Sequence, residues 1–432
     1  MRKISAVLRS VVPGALLGAA LTACGDDLTS PEPTGTLVVT PGRLVLGAGM
    51  SRQLSASVVD QSGAPLAGGP ITYISSDPSR ASVNADGLVS YVGPGQAEIR
   101  AASEAGLAIV PYTGLLSGHP LGITTTSARL PGDSRGDRPF GVAVDGEGRI
   151  FISQSHSGRL ARGVYPDTGF AIGDLGGTPT SIVLLGRGTA LVTPSGPNAD
   201  DASVIELSSG RVLTEVPLDV PAFSALTAPD SQTAYLGTSD GRILVFDVAT
   251  STVTGSIDLG VDKSRVNNLA INAAGTLLYA SSFTTGTISE IDLASKSVVR
   301  TFVVGGEPQG IAVSLDGTEL YVADEAGTGH IDIYDIVGNE REASIPSGAT
   351  ESLGGPFGLA LSPDGTKLYV GVITTGVITT EDPGLIQVID PAARRIERTI
   401  NSCGRMPRRI AFGFSGGLAV IVDETGCATF VE

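Results

Sequence analysis

Histidine, cysteine and the aromatic residues are scarce in this chain of 432 residues. It has three His, three Cys and no Trp, and the aromatic residues make up 5% of the total. A catalytic site built on paired histidines, or on a histidine with a metal, therefore has few candidate residues. The sequence also contains no G-x-S-x-G, H-E-x-x-H or P-loop pattern, so no common catalytic motif assigns a reaction.

Basic residues are too few for a nucleic-acid-binding protein. Lys and Arg total 28 against 44 Asp and Glu, which gives a formal net charge of −16. Contacts to phosphates need a basic face, so this balance argues against a nucleic-acid partner. A solvated acidic surface is the simplest interpretation of the excess.

Glycine and proline, by contrast, are abundant, at 58 and 26 residues. Together with many Val, Ile, Thr and Ser residues, they favour short strands and tight turns over helices. The length predicts two or three domains. The expected fold class is therefore all-β, and the pattern along the chain indicates an Ig-like β-sandwich followed by a seven-bladed β-propeller.

Residues 1–23 have the pattern of an export signal. Basic residues at positions 2, 3 and 9 precede an apolar stretch, residues 11–20, that is too short to span a bilayer. The sequence LTACG that follows resembles the lipobox of bacterial lipoproteins. This resemblance implies cleavage before Cys24 and acylation of its thiol and its new amine. An ordinary signal peptide with a chance cysteine is the alternative.

Residues 24–35 are polar and contain two prolines, which is typical of a flexible tether. Several acyl chains on Cys24 would hold the protein firmly on a membrane. The sequence thus predicts an exported, membrane-anchored lipoprotein in the periplasm or at the cell surface. It does not distinguish the inner from the outer membrane.

Residues 36–114 alternate between apolar and polar positions. In the run RQLSASVVD, for example, Leu54, Ala56 and Val58 fall on one side of a half-buried strand. About seven such strands, separated by Gly, Pro, Asp and Asn, fit a β-sandwich.

This segment resembles the group 2 bacterial Ig-like domain. The family pattern is matched by Tyr73, by SSDPS at residues 75–79, by Ala-x-Val at residues 81–83 and by residues 86–101. Tyr73 stands where the family usually has Trp. The resemblance implies a module at the cell surface that serves as a spacer or in adhesion, and spacer is the interpretation preferred here.

From residue 115 onward the chain repeats itself with a period of about 40 to 50 residues, which indicates a propeller or a solenoid. Seven copies begin at or near Pro139, Pro179, Pro221, Val266, Pro308, Pro356 and Pro407. Most copies contain four apolar runs, which is the pattern of a propeller blade. The third run ends in an acidic residue in five copies, and we interpret that residue as a cap of the following turn.

The last copy contains only three runs. An unpaired strand at residues 121–130 precedes the first copy and is predicted to complete the last blade, so that residues 115–432 form a closed seven-bladed ring. Cys403 and Cys427 are predicted to lie on one face of that blade. In an oxidising compartment a disulfide between them would hold the C-terminal strand, and metal ligation is less favoured because no His is near.

Residues 308–323 and 356–371 resemble the YVTN type of seven-bladed propeller of bacterial surface-layer and YncE-like proteins. Related propellers include lactonases, streptogramin lyases and quinoprotein dehydrogenase heavy chains. The resemblance specifies how blades pack and not what chemistry they perform.

The loops between second and third strands, and between successive blades, should meet at one mouth of the channel. Nine of their residues form the candidate ligand rim: Arg138, His156, Asp240, Asp324, Glu325, Glu381, Asp382, Arg405 and Asp423. The rim carboxylates favour Ca²⁺ or a cationic ligand as one interpretation and an ordinary solvated rim as the other. No other cofactor is expected. The long loop at residues 371–384 is either a flap over the mouth or a surface insertion.

These patterns predict a lipid-anchored, monomeric envelope protein that binds a partner or a small ligand, or acts as a scaffold, without catalysis. The alternative is a lactonase-like or lyase-like enzyme acting at the mouth. Such a site would need His156 and His330, which belong to blades one and five. A structural envelope protein that associates with itself is a third possibility. The sequence does not specify the ligand or the partner.

Overall fold

The computed structural model describes residues 35–40, 44–46, 51–60, 64–66, 69–93, 95–114, 125–132, 137–167, 169–196, 201–260, 264–327, 329–347, 354–374, 383–413 and 417–431. All regular structure in these ranges is β-strand, as the composition predicts. No helix in them has the length and apolarity needed to span a membrane. The predicted signal peptide, Cys24, nearly all of the tether, Glu381 and Asp382 lie outside the described residues.

Nine strands form the N-terminal domain. They are β1 (Thr36–Thr40), β2 (Leu44–Leu46), β3 (Ser51–Gln53), β4 (Ser55–Val59), β5 (Thr72–Ser75), β6 (Ala81–Val83), β7 (Leu88–Tyr91), β8 (Gly95–Ser103) and β9 (Gly106–Gly114). They pair in the orders β2-β9-β8-β5, β3-β7-β6 and β1-β4. The run RQLSASVVD is divided at Leu54, whose backbone N–H donates to Gly87 O at 3.0 Å, because β3 and β4 belong to different sheets.

The family pattern of this domain has a direct structural role. Asp77 Oδ1 accepts hydrogen bonds from the Ser79 backbone N–H at 3.0 Å and from Ser79 Oγ at 2.5 Å, which closes the turn between β5 and β6. Leu54, between β3 and β4, and Val58, in β4, are both buried, as the alternation predicts. Tyr73 packs at the edge of the core in the place of the usual Trp.

Residues 125–431 form the propeller, whose strands assemble into seven four-stranded antiparallel sheets. Blades 1 to 3 contain, in chain order, β11 (Pro139–Val144), β12 (Arg149–Gln154), β13 (Arg159–Val164), β14 (Ala171–Asp174); β15 (Pro179–Gly186), β16 (Thr189–Pro194), β17 (Asp201–Glu206), β18 (Val212–Pro217); and β19 (Ala222–Thr227), β20 (Thr233–Thr238), β21 (Arg242–Asp247), β22 (Thr252–Asp258).

Blades 4 to 6 contain β23 (Val266–Ile271), β24 (Leu277–Ser282), β25 (Thr287–Asp292), β26 (Ser297–Val303); β27 (Pro308–Val313), β28 (Glu319–Asp324), β29 (His330–Asp335), β30 (Glu340–Pro346); and β31 (Gly355–Leu361), β32 (Leu368–Ile373), β33 (Leu385–Asp390), β34 (Arg395–Asn401). Blade 7 contains β35 (Pro407–Phe412), β36 (Ala419–Asp423), β37 (Cys427–Val431) and the earlier strand β10 (Thr125–Arg129). The predicted seven-bladed ring is therefore confirmed.

A short polar turn sets the register of the first two strands in a blade. In blade 5 the Ser314 hydroxyl donates to Asp316 at 2.6 Å and accepts the backbone N–H of Thr318 at 3.0 Å. Gly317 follows with a φ of 75°, a conformation that favours glycine. Ser362, Asp364 and Gly365 repeat the arrangement in blade 6. The S-x-D-G sequence is thus the local signal for each of these hairpins.

The acidic residues that end the third strands cap the next turn, as predicted. Asp247 and Asp292 each accept a backbone N–H three residues on, at 2.7 Å, and Asp390 does so at 2.9 Å. The bonds from Ser295 to Asp292 hold the pKa of that carboxyl below its usual value. These carboxylates have a structural role in the turns between the third and fourth strands.

Hydrophobic clusters fill the spaces between adjacent blades. One joins Tyr321 and Ile333 of blade 5 to Leu359 and Val370 of blade 6. A blade cannot bury both faces alone, so each depends on its two neighbours. The innermost strands contact one another in chain order and β35 contacts β11, so the ring is closed.

Strand β10 closes the ring with residues 125–129 of the predicted strand 121–130, of which residues 121–124 lie outside the described residues. It pairs antiparallel with β37, from Thr125 opposite Val431 to Arg129 opposite Cys427. Ala128 and Leu130 enter the cluster between blades 7 and 1. The predicted disulfide is also present, with Cα atoms of Cys403 and Cys427 6.2 Å apart, and it fixes the start of β37 to the loop before β35.

Candidate functional site

The innermost strand of every blade begins with the same irregularity. Pairing with the second strand is interrupted one or two residues after the first position, in all seven blades. The residues released from regular pairing lie at the end of the channel where the blade-to-blade loops meet. These residues and the next equivalent position in blades 2 to 4 form two rings of residues, and at this end the blades differ from one another.

The first ring, called the mouth ring, consists of Phe140, Thr180, Phe223, Asn267, Gln309, Phe357 and Arg408. The residues that follow form the second ring: Gly141, Ser181, Ser224, Asn268, Gly310, Gly358 and Arg409. The second ring has six small or short polar residues and one arginine. Arg409 is therefore the exception that the packing of blades does not require.

Phenylalanine rings and guanidinium groups pack together at the mouth. The Phe140 ring lies edge-to-face with those of Phe223 and Phe357, at centroid distances of 5.4 and 5.9 Å. Arg265 lies 4.3 Å over Phe223, and Arg408 lies 4.4 Å over Phe357. These stacked pairs are typical cation–π contacts. With Arg409, these residues are called the mouth cluster.

Arg409 reaches across the channel from blade 7 to blade 4. One of its terminal nitrogens donates to the backbone oxygen of Asn267 at 2.7 Å. Its guanidinium carbon lies 5.8, 6.0 and 5.9 Å from the centroids of Phe140, Phe223 and Phe357. Burial and then the nearby positive charges lower its pKa to about 10.

A chain of hydrogen bonds runs along one side of the mouth. Arg265 Nε donates to Asn267 Oδ1 at 2.6 Å, and the Asn267 amide donates to Gln309 Oε1. The Gln309 amide in turn donates to Glu325 Oε2. The chain begins at a guanidinium and ends at a carboxylate, so it fixes the orientation of both amides.

Two of the mouth arginines share one carboxylate. Arg408 Nε donates to Glu424 Oε2 at 2.5 Å, and Arg138 lies 3.4 Å from the other oxygen of Glu424. The Arg408 and Glu424 side chains are only 13% and 12% exposed. Arg265 and Arg409 have no carboxylate within ion-pair distance among the described residues.

Glu325 is a carboxyl group of the mouth whose pKa is shifted. Burial raises its pKa, while the bond from Gln309 and the charges of Arg408 and Arg265 oppose the rise. The charge of Glu307 adds to it. The folded protein therefore binds this proton more tightly than the unfolded chain does.

We expect Glu325→Gln to become relatively more stable as the pH rises. The folded wild-type protein binds this proton more tightly than the unfolded chain, so it loses stability between the ordinary carboxyl pKa and the raised one. Glutamine cannot titrate, so the variant-minus-wild-type free energy of unfolding should increase across that window and stay level above it. Urea titrations from pH 4 to 8 measure it, with exposed Glu340 of β30 changed to Gln as the control. A difference independent of pH would contradict the expectation.

The predicted rim residues divide into groups. Glu325 and Arg138 lie at the mouth, as described above. Asp324 is buried and accepts the backbone N–H of Glu307 at 2.8 Å. Asp423 is buried and accepts from Ser402 Oγ at 2.9 Å and from the Met406 backbone. Both aspartates therefore hold their own blade-to-blade loops.

Asp240, His156 and Arg405 are the remaining rim residues that the structure describes. Asp240 accepts from Thr238 Oγ1 and from Arg242 Nε, at 2.6 and 2.9 Å. His156 is exposed in the loop after β12. Arg405 lines a cavity of about 670 Å³ beside the disulfide. Within the described ranges no three His, Cys, Asp or Glu side chains are grouped so that they could hold a metal ion.

Beyond the mouth, all seven innermost strands line a cavity of about 360 Å³. Its wall combines small second-ring residues with aliphatic ones such as Ile182, Leu269 and Ile311, and Arg409 contributes to it. The channel is therefore open enough for a small ligand behind the mouth cluster.

The residues of the mouth cluster are absent from the rim predicted by sequence. The predicted rim consists of loop residues, whereas the residues of the mouth cluster, apart from Arg265, lie on the first strands of the blades. The available signal is the position after the first-strand proline, which carries Phe in blades 1 and 6 and Arg in blade 7.

The N-terminal domain matches a known family. The family described as the bacterial Ig-like domain (group 2) matches residues 36–113, which confirms the domain predicted for that part of the chain.

Antigen Lp49 of Leptospira interrogans (serogroup Icterohaemorrhagiae, serovar copenhageni, strain Fiocruz L1-130) is 32% identical over 125 residues, which is 25% of this chain and 26% of that protein. The chain thus spans about a quarter of the length of the curated relative it matches.

A solved structure of hydrazine synthase from Kuenenia stuttgartiensis resembles this chain with a TM-score of 0.60. The match covers 69% of this chain and 96% of that one, at 16% sequence identity. Identity at this level shows a shared fold alone.

Proposed function

We propose that this protein is a lipid-anchored envelope protein whose Ig-like domain is a spacer and whose propeller binds a ligand or partner at its mouth. The two domains support a binding or scaffold role. Acylated Cys24 supplies the anchor, and the ligand enters where the mouth cluster lies. The protein acts by binding and not by catalysis.

Export is supported independently of the N-terminal segment. A bacterial Ig-like domain and a disulfide are features of an extracellular or periplasmic protein. The relative named as an antigen supports a place at the surface. We also assign the repeats to the YVTN type, on the S-x-D-G turns and the LYV runs at residues 320–322 and 368–370.

One observation carries the binding proposal. Blade packing uses repeated residues, such as the first-strand prolines and the S-x-D-G turns, whereas the mouth ring holds unlike side chains from blade to blade. Packing alone would not need three phenylalanines in the mouth ring, nor the adjacent arginines Arg408 and Arg409, one in each ring. Their convergence is what a binding site requires.

The anchor predicts a clear result for Cys24→Ser. The wild-type protein should partition with membranes and carry acyl mass on its N-terminal peptide. The variant should lose that mass and leave the membrane fraction, because no acylated residue remains. Mass spectrometry and fractionation of cells measure both. A variant that stays on the membrane, or an unmodified wild-type Cys24, would contradict the anchor.

Binding at the mouth is tested by comparing three forms of the purified protein in an envelope extract. Phe140→Ala removes the ring that contacts Phe223 and Phe357, while Val303→Ala changes a residue that is 79% exposed on an outer strand. Material retained by wild type and Val303→Ala and lost by Phe140→Ala supports the proposal. Equal retention by all three would place binding elsewhere. Turnover of added lactones would instead favour an enzyme.

A further inference from the structure

Arg409 occupies a position where the other six blades have a small or short polar residue. Six blades have Gly, Ser or Asn in the second ring, and blade 7 alone has arginine. An arginine there must be accommodated inside the channel, next to Arg265 and Arg408, whose charges act on it. Burying this charge lowers the stability of the folded protein, so the presence of Arg409 needs a separate explanation.

The contacts of Arg409 leave its charge without a counter-ion. The side chain makes one hydrogen bond, to the backbone oxygen of Asn267, and lies near three phenylalanine rings. A guanidinium has five N–H donors, so most of its hydrogen-bonding capacity is unused by the described residues. Cation–π contacts stabilise such a charge, yet they do not neutralise it.

Arg265, on the facing side of the mouth, also has no counter-ion among the described residues. It donates to Asn267 Oδ1 at 2.6 Å and stacks on Phe223, and it has no ion pair among the described residues. Arg408, by contrast, is paired with Glu424. Glu325 is near enough for its charge to act on Arg265, but no ion pair joins the two side chains among the described residues. The mouth thus holds two unpaired cationic groups that both bond to Asn267.

We propose that the mouth cluster binds a small organic anion, with Arg265 and Arg409 holding its carboxylate or phosphate group and Phe140, Phe223 and Phe357 contacting its apolar part. This rests on the proposed function, that the mouth is the binding site. Planar guanidinium groups match oxyanions through paired N–H bonds, which are strong where water is excluded. The ligand supplies the negative charge that the fold leaves out.

The size and charge of the ligand follow from the surroundings. The cavity behind the mouth, about 360 Å³, limits the ligand to a small molecule. The net charge of −16 repels long polyanions, so a nucleic acid does not fit the site although its phosphates have the right chemistry.

Three matched probes test the charge requirement on the purified protein by calorimetry. Benzoate and phenyl phosphate carry the two candidate anionic groups on the same ring, and benzyl alcohol is a neutral counterpart. We expect one or both anions to bind and the alcohol not to bind, and the tighter anion identifies the preferred group. Equal binding of benzyl alcohol, or no binding of either anion at millimolar concentration, would overturn the proposal.

Arg409→Ser tests the residue itself. Serine stands at this position in blades 2 and 3, so the variant should fold, with an equal or higher thermal midpoint because an unpaired charge is removed. Binding of the anion should weaken at least about tenfold, since a charge-assisted pair is lost. Arg409→Lys should bind with intermediate strength, because it keeps the charge and loses the planar fork.

Arg395→Ser is the matched control, since that side chain is 68% exposed on an outer strand. It should bind the anion as wild type does. Unchanged binding in Arg409→Ser would overturn the inference. If neither anion binds while envelope material is still lost with Phe140→Ala, the inference fails and the proposed function stands. If Phe140→Ala retains that material, the proposed function fails first.

Discussion

Ala128→Asp in β10 should destabilise the propeller by about 3 kcal/mol or more, since it places a carboxylate without a partner in a buried site. Ala128 is 6% exposed and lies among Val420, Ala428 and Phe430 in the cluster that joins blade 7 to blade 1. The strand comes from the beginning of the propeller and the cluster from its end. Loss of this contact therefore opens the ring at its junction. Urea denaturation measures the change in the free energy of unfolding.

Ser127→Asp is the control for this experiment. Ser127 is the neighbouring residue of the same strand, pairs with Thr429 and is exposed, so its carboxylate remains in water. We expect its effect to lie within about 0.5 kcal/mol of wild type. If Ala128→Asp were as stable as Ser127→Asp, β10 would not close the ring in solution.

The fold can be predicted from the sequence because the blades repeat. The spacing of Pro308, Pro356 and Pro407, together with the S-x-D-G turns, marks each blade, and both signals are local. The missing fourth run after Cys427 then required a strand from elsewhere, and residues 121–130 were the unpaired candidate. A local signal combined with a simple count is enough to predict a closed ring.

The mouth cluster cannot be predicted from the sequence in the same way, because its members are far apart in the chain. Arg409 bonds to Asn267 across 142 residues, and Phe140, Phe223 and Phe357 come from three different blades. No local motif records such a cluster. Aligning the blades by their first strands places these residues at equivalent positions, which is the step that would have identified them.

Rim carboxylates illustrate a second limit. Asp324 and Asp423 end second strands at the mouth, as sequence predicts, but their oxygens accept hydrogen bonds from their own loops. A loop aspartate serves a ligand or its own backbone equally well, and only the geometry separates the two uses. Sequence position alone therefore overestimates how many rim carboxylates can bind a ligand.

The disulfide should contribute about 3 kcal/mol to the stability of the propeller. It closes a loop with a sequence separation of 24 residues and holds the start of β37, the strand that pairs with β10. We expect Cys403→Ala/Cys427→Ala to lower the free energy of unfolding by that amount. The comparison is made in a Cys24→Ser background, so that no third thiol can exchange with the pair.

The single variants show whether the bond or the separate side chains stabilise the protein. Either substitution breaks the same bond, so Cys403→Ala and Cys427→Ala should each lose nearly as much as the double variant. A reducing agent should lower the stability of the Cys24→Ser protein to that of the double variant and leave the double variant unchanged. Additive losses from the two singles would instead assign the stability to packing of Cys427, which is 4% exposed. In that case the closing blade would be held by its cluster and by β10 alone.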